Sequence, residues 1–536
     1  MSGERLERRA IVIAAVVVLG MVMATLDTTI VNVALERLGD DFSAPFDSVQ
    51  WVVTAYLLAL ACVIPLTGWA TTRFGIKRVW LYAVGLFAGG SALCALAWSL
   101  DSLIAFRVLQ GLGGGLLIPV GTLIITRTAG PDQLGRLMGI VGVPMLLGPV
   151  LGPVIGGAIV EHASWKWIFL VNVPVGIAAL RLAMRELPAD EGPRAAVPLD
   201  VRGLALLSPG LVLLTYGLAE LSRAGALAAG SLAPLVGGAV LIAGFCVAAR
   251  HAPHPLIDLG LFRSRSFSAA AVATLMVGAA LFGGLLLLPL YYQVARGQSP
   301  LGAGLLLAPQ GIGAALAMPI AGRLTDRVGG GRVALVGLTV VAAATLVFTD
   351  LTPDTPLALL AGTLVVRGIG MASSMIPVMT AAYATLPRES LPSATTALNV
   401  VQRVGGSLGT AILAVILQNQ LSAAGHSPAA VAGAFSTAFA WAAGLALVAL
   451  PAAWVLARGQ RVRGPETGAP RLLVVFFSAA AVMVAAVVLM VRADSDWADA
   501  GAFAALVVSA ALVLREIARE LRDDGEPQGE QPPALG

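Results

Sequence analysis

Long apolar runs constrain this chain more than any other feature. From Ala10 to Leu26 every residue is apolar, a glycine or a single threonine, and windows of this kind recur along most of the 536 residues. An α-helix needs about 20 such residues to cross the hydrocarbon of a bilayer. The short alternating segments of a transmembrane barrel are absent from the sequence, so the backbone polar groups must be satisfied within helices. Hydrophobic residues make up 58% and charged residues 12%, where a soluble domain would carry roughly 25% charged residues. The expected fold class is an all-α polytopic membrane protein.

Hydropathy places six spans near 10–35, 49–70, 78–98, 102–126, 136–160 and 166–185. Two more fall near 203–221 and 231–249, and a further six near 268–293, 302–322, 332–349, 356–381, 396–418 and 431–457, fourteen in all. This divides the chain into a six-helix half over 10–187, a Pro-rich linker over 188–202, two inserted helices within 203–250 and a second six-helix half over 267–457. After these, 458–515 reads as a basic linker with an extra helix pair, and 516–536 as a disordered cytoplasmic tail. The opening residues resemble a signal peptide, but the apolar run continues past signal length and is read as a retained first span.

Basic residues test the count, because they gather in alternate, cytoplasmic loops. Arg73, Lys77 and Arg78 follow span two, Arg127 and Arg136 span four, and Arg185, Arg194 and Arg202 span six. Arg250, Arg263 and Arg265 follow span eight, Arg323, Arg327 and Arg332 span ten, and Arg388 and Arg403 are counted after span twelve. The opposite loops hold Asp40, Asp41, Asp47, Asp101, Glu161, Asp350 and Asp354. Even-numbered loops and both termini are therefore expected in the cytoplasm of a bacterial cell, with the chain in its plasma membrane. The net charge of +4 then reads as a topology signal, and no nucleic-acid partner is expected.

Chemistry of other kinds finds little support. Cys62, Cys94 and Cys246 stand apart without metal-ligand spacing, and His162, His251, His254 and His426 all lie in loops. No nucleotide-binding P-loop is present in the sequence. The chain is expected to have no metal, no cofactor and no enzymatic activity.

Asp27 is the residue that points to function. It lies well inside an uncharged span, where an ionisable group faces a packed interior or a watery cavity and marks an ion pathway. Gly20, Ala24, Asp27 and Val31 share one helix face. Arg107 stands about one turn into span four, with Gln110 on the same face; as a permanent cation it must be paired or hydrated, and Asp27 is its candidate partner. Interface snorkelling is the plain alternative for both.

Two loops repeat one another: Gly68-Trp-Ala-Thr-Thr72-Arg73-Phe-Gly75-Ile-Lys77-Arg78 and Gly322-Arg-Leu-Thr-Asp326-Arg327-Val-Gly329-Gly-Gly-Arg332. Gly111-Leu-Gly113 in span four is echoed by Gly368-Ile-Gly370 in span twelve. Parallel repeats of this kind place a binding site between the halves near the midplane. In span five, Pro144, Pro149 and Pro153 interrupt the backbone ladder while Gly148, Gly152 and Gly156 recur every four residues and Gly157 follows. Either a bend at a moving interface or a tightly packed kinked helix satisfies that pattern. Span thirteen, with Arg403-Val-Gly405-Gly406-Ser-Leu-Gly409, has no matching Gly-Pro run.

These motifs, with Gln50-Trp51-Val-Val-Thr54-Ala-Tyr56, Trp165-Lys-Trp167-Ile-Phe-Leu-Val-Asn172-Val-Pro174 and Leu288-Pro289-Leu-Tyr291-Tyr292-Gln293, resemble the major facilitator superfamily. Over about residues 10–457 the chain resembles in particular that superfamily's bacterial fourteen-span drug:proton antiporters. The resemblance implies two six-helix halves, proton coupling around Asp27 and Arg107, and an antiporter motif at Gly148, Pro149, Gly152, Pro153, Gly156 and Gly157. It also implies gating loops at Gly68, Arg73, Gly75, Lys77, Arg78, Gly322, Asp326, Arg327 and Gly329. Two residues depart from the pattern: Thr72 replaces the usual acid, so that the first latch is either weakened or supplied by another residue, and Glu36 replaces a frequent proline.

Asn32, Tyr56, Gln110, Asn172, Tyr292, Gln293 and Asn399 are candidate cavity residues, although most polar groups in membrane bundles hold helices together. The expected activity is proton-driven export of small amphipathic substrates by a monomer in the lipid bilayer. A lipid or glycolipid transporter on the same scaffold is the alternative.

Overall fold

The computed structural model describes residues 2–129, 133–190, 197–224, 229–384, 386–424 and 427–459. The linker residues 191–196 and everything from 460 onwards, including the extra helix pair and the tail, lie outside the described residues.

Thirteen helices among the described residues are long and apolar enough to cross a membrane. A further 29-residue helix, Leu134–His162, stands where span five is expected. In chain order the first half comprises α1 (Arg9–Phe42), α2 (Asp47–Phe74), α3 (Ile76–Ala95), α4 (Leu100–Thr128), α5 (Leu134–His162) and α6 (Lys166–Glu186). Then come α7 (Val201–Arg223) and α8 (Gly230–Ala249). The second half comprises α9 (Arg265–Ala295), α10 (Leu301–Val328), α11 (Gly330–Val347), α12 (Leu357–Tyr383), α13 (Arg388–Ala423) and α14 (Pro428–Arg458).

Local chemistry explains where several helices begin. Ser99 and Ser102 form a reciprocal capping box at the head of α4. Ser264 caps α9, and Ser299 with Pro300 opens α10, each hydroxyl satisfying an amide that the helix leaves unpaired. At the repeated loops, Gly75 and Gly329 have φ of 93° and 91°, a left-handed backbone that a side chain would strain. The two loops therefore turn in the same way.

The halves share one packing plan. In the first, α4 packs on α2 and α3, α1 packs on α5 and α6, and α3 packs on α6. In the second, α12 packs on α10 and α11, α9 on α13 and α14, and α11 on α14. The Gly-x-Gly echo is structural as well. Gly111 abuts α2 at Tyr56 and Ala59 and Gly113 abuts α3 at Ala83 and Phe87; Gly368 meets α10 at Gln310 and Ala314, and Gly370 meets α11 at Val341 and Gly337. This match sets the register between α4 and α12 and brings Gln110 and Arg367 to equivalent positions.

Two seams join the halves. Along one, α5 packs directly on α10. Along the other, α13 meets α2, and α7 packs against both. The Ser208 hydroxyl of α7 donates to the Cys62 carbonyl at 2.6 Å, and Tyr216 stacks on Trp51 with ring centroids 6.0 Å apart. The inserted pair thus closes the second seam, its α8 packed on the outside of α7.

Candidate transport site

Asp27 projects from α1 into the centre of the first half, where it is 1% exposed. The carboxylate accepts from Arg107 Nη1 at 2.5 Å on one oxygen, and from Gln110 Nε2 at 2.9 Å and Asn172 Nδ2 at 3.4 Å on the other. Arg107 is wholly buried; its Nε donates to the Val52 carbonyl at 3.0 Å and its Nη1 also donates to Gln110 Oε1 at 2.8 Å. The guanidinium carbon lies 3.9 Å from the ring centroid of Tyr56 and 5.7 Å from that of Phe169. Asn172 further donates to Ser91 Oγ at 3.1 Å, and Ser91 to the Phe169 carbonyl at 2.9 Å.

Five helices, α1, α2, α3, α4 and α6, therefore converge on one ion pair. Burial removes both ions from water, a penalty that only close geometry and further hydrogen bonds offset. Those bonds are present on the carboxylate. On the arginine, Nη2 is buried without a partner, as is the Tyr56 hydroxyl. Snorkelling describes neither residue.

Of the other candidates, Tyr56, Gln110 and Asn172 belong to this network. Asn32 is exposed on a 3-10 turn, Val31–Ala34, within α1, and Glu36 just beyond the turn is exposed too. Tyr292 is buried in the second half beside Tyr291, in the apolar cluster that also holds Phe435, and Gln293 is half-buried on the same wide turn. Asn399 is buried on α13, with Nδ2 donating to the Thr395 carbonyl of its own helix at 2.8 Å. The structure does not bring these four into the Asp27 network.

Two cations of the second half lie outside the Asp27 network. Arg403, counted with the basic residues after span twelve and also within span thirteen, lies inside α13, 12 residues beyond Leu391. Its Nε is buried and unpartnered. Arg367 of α12 was passed over altogether and is 2% exposed. Its guanidinium meets only neutral groups: Gln310 Oε1 at 2.7 Å, the Ala280 carbonyl at 3.3 Å, Thr345 Oγ1 at 3.4 Å and the Met371 sulfur at 3.7 Å. The signal was available, because Arg367 interrupts the middle of an apolar window as Asp27 does.

At the end of the bundle carrying the basic loops, Asp326 of α10 reaches across the first seam to the start of α5. Its two carboxylate oxygens accept from the Gly135 amide at 2.6 Å and the Arg136 amide at 2.9 Å, amides that a helix N-terminus leaves open. Gly322 packs against Gly135 and Gly139 against Met318 in the same contact. At the other seam Gly68 abuts Pro392 and Thr396 of α13, but the Thr72 hydroxyl turns back to the Gly68 carbonyl at 2.9 Å. An acid does act at the first loop. Asp190, from the segment after α6, accepts from the Lys77 amide at 3.1 Å and the Arg78 amide at 3.5 Å, capping α3 inside its own half. Lys77 Nζ also donates to the Met184 and Leu187 carbonyls. Arg73 stands over Phe74, with its guanidinium carbon 5.9 Å from the ring centroid. Arg327 closes the last turn of α10 before Gly329.

The helix α5 turns out to carry two glycine faces. Gly148, Gly152 and Gly156 seat α1 at Thr25, Thr29 and Ile30, inside the first half, while Gly157 faces open space. Gly135, Gly139 and Gly142 form a different stripe that faces α10 across the seam. The side chains of Pro149 and Pro153 lie outside those described.

Two like-built helix bundles packed along two seams, one bundle closed around a buried ion pair, are the architecture of a multi-pass membrane transporter. The chain belongs to the Major Facilitator Superfamily, whose family model matches residues 17–410. A multidrug resistance protein B homolog of Mycobacterium tuberculosis is 44% identical over 423 residues, 78% of each chain. The tetracenomycin C resistance and export protein of Streptomyces glaucescens is 33% identical over 405 residues, 76% of this chain and 75% of its own. Among solved structures, the human organic anion transporter MFSD10 superposes with a TM-score of 0.57 at 18% identity, covering 84% of this chain and 99% of the other; at that identity the likeness shows the fold alone.

Proposed function

We propose that the protein is a proton-coupled exporter of small amphipathic compounds, working by alternating access in the bacterial cytoplasmic membrane with both termini inside. The observation that carries this reading is the enclosed Asp27–Arg107 pair, whose carboxylate is the only acid deep within the described spans. Protonating Asp27 removes the charge that holds Arg107, Gln110 and Asn172 together. Arg107 is then released towards other partners, with Tyr56 already against its face. A small change at one carboxylate thereby alters the packing of all five helices around it.

The closed Asp326 latch supplies the second state. Charge and hydrogen bonding hold the basic end of the α5–α10 seam shut, and substrate access from the cytoplasm requires those bonds to break. Relatives named for multidrug resistance and for tetracenomycin C export favour small amphipathic cargo. The lipid-transport alternative gains no support from them. Proton and substrate suffice for this cycle, with no metal or cofactor, and the chain is read as acting as a monomer.

The test uses proteoliposomes with an imposed pH gradient. Asp27→Asn, normally expressed and folded, is expected to lose gradient-driven accumulation of a drug while retaining its downhill exchange. Full retention of driven accumulation would remove Asp27 from the coupling role.

A further inference from the structure

The membrane core holds more positive charge than its acid balances. Arg107 is matched by Asp27. Arg367 and Arg403 have no carboxylate partner among the described residues. Arg367 stands 10 residues from the start of α12 and Arg403 stands 12 from Leu391. At 1.5 Å per residue these are roughly 15 and 18 Å along their helices, several turns from either end.

Position makes Arg403 the accessible one. Pro392 and Thr396 of α13 meet Gly68 of α2, and Asn399 and Arg403 continue the same helix face at three- to four-residue spacing. Arg403 thus stands two turns past Thr396, on the membrane-interior side of the Gly68 contact as Tyr56 does on α2, and it is half-buried where Arg367 is enclosed. Its Nε and the Tyr56 hydroxyl are both buried and both lack a hydrogen-bond partner. The other face of Tyr56 lies on Arg107. A buried guanidinium without a counter-ion is unfavourable, and its planar donor fork suits a carboxylate.

We propose that the second seam, between α2 and α13, binds amphipathic carboxylates when it opens, with the anionic head held by the Arg403 guanidinium on α13 and the Tyr56 hydroxyl on α2. The bound anion supplies the charge that the fold omits. Arg367, enclosed in the second half, adds fixed positive potential behind that site. The substrate head also bridges the two halves at a seam that lacks a carboxylate latch, so binding itself couples α2 to α13. This inference deepens the export reading by naming the substrate class.

Three ligands sharing one fluorophore isolate the charge: dansylglycine, an anion; its methyl ester, which is neutral; and dansylcadaverine, a cation. Binding is measured on the full chain in lipid nanodiscs, without a gradient. The anion is expected to bind about tenfold or more tightly than the ester, and the cation weakest. Arg403→Gln is expected to bring anion affinity down to that of the ester in the same variant, and Arg403→Lys to keep part of the preference. Equal affinity for anion and ester in the unmodified chain, a preference for the cation, or no binding of the anion would overturn the proposal; so would an Arg403→Gln variant that melts like the parent and still prefers the anion. Because binding is read without transport, a chain that selects the anion but moves no substrate under a pH gradient would overturn export and leave this assignment standing.

Discussion

In the first half the Arg107 guanidinium lies 2.5 Å from a carboxylate and shares it with an amide on each side; in the second, Arg367 is as deeply buried and meets only neutral oxygens and a sulfur. The backbones around the two are alike. Glycines at matching positions bring α4 against α2 and α3, and α12 against α10 and α11. What differs is the residue one place before the first of those glycines, Gln110 in one half and Arg367 in the other. A repeated scaffold thus carries a neutral ion pair on one side and uncompensated positive charge on the other. The first suits a group that changes protonation, the second a fixed field.

The sharpest way to break this contrast is to remove each arginine. Arg107→Met strands the Asp27 carboxylate in a dry core and is expected to destabilise the protein by about 3–5 kcal/mol, the cost of orphaning one member of a buried pair. Arg367→Met removes a charge that no acid balances and leaves only Gln310 and the Ala280 carbonyl underused, so about 1–2 kcal/mol is expected. Thermal unfolding in detergent compares the two. Equal losses would mean that Arg367 has a counter-charge as good as Asp27 has. The double variant Asp27→Asn with Arg107→Met should recover much of the stability and none of the proton-driven transport.

How much of this was legible beforehand follows from the physics of each signal. The spans and their order were readable because hydrocarbon thickness fixes helix length, and Asp27 and Arg107 because a charge in an apolar helix is conspicuous. Asp326 was readable from the repeated loop as an acid for arginines and the positive end of a neighbouring helix, but which helix was not, since the two backbone amides it meets leave no mark in sequence. Arg403 reads two ways in sequence, as a loop anchor after span twelve and as part of span thirteen; α13 starts earlier than its hydropathy window, at 388 and not 396, which puts Arg403 well inside the helix. The glycines of α5 were read as one motif, whereas spacing alone does not tell which neighbour each face meets. Gly135 and Gly139 across the seam went unnoticed for the same reason.

Glycine substitutions sharpen the comparison from the steric side, where the halves are alike. Gly156→Ala places a methyl group 2.8 Å from the Ile30 side chain, and Gly409→Ala places one 2.5 Å from the Ala279 Cα. Both are expected to destabilise by about 1–3 kcal/mol, the second more because backbone yields less than a side chain. Gly157→Ala meets nothing within 4 Å and should be silent. The want of a Gly-Pro run in span thirteen therefore does not extend to packing: Gly405 and Gly409 of α13 seat α9 at Leu275 and Ala279 as Gly148 and Gly156 of α5 seat α1. An α13 indifferent to alanine at Gly409 would contradict that equivalence.

The smallest effects concern the latches, and they test whether the halves differ at the basic end as they do in the core. Asp326 satisfies two open amides across the α5–α10 seam; Thr72, its counterpart, satisfies its own helix. Asp326→Asn keeps shape and loses charge, so the cap should weaken by about 1 kcal/mol, raising hydrogen exchange of the Gly135 and Arg136 amides about fivefold. Thr72→Asp is the converse. A carboxylate facing the first turn of α13 should slow exchange there by a smaller factor, about twofold, and slow transport by holding the second seam shut. If Thr72→Asp leaves exchange at α13 unchanged while Asp326→Asn acts as expected, the seams differ in geometry and not only in charge. The insert helix α7, lying across α2 and α13, then becomes the element that sets the second seam.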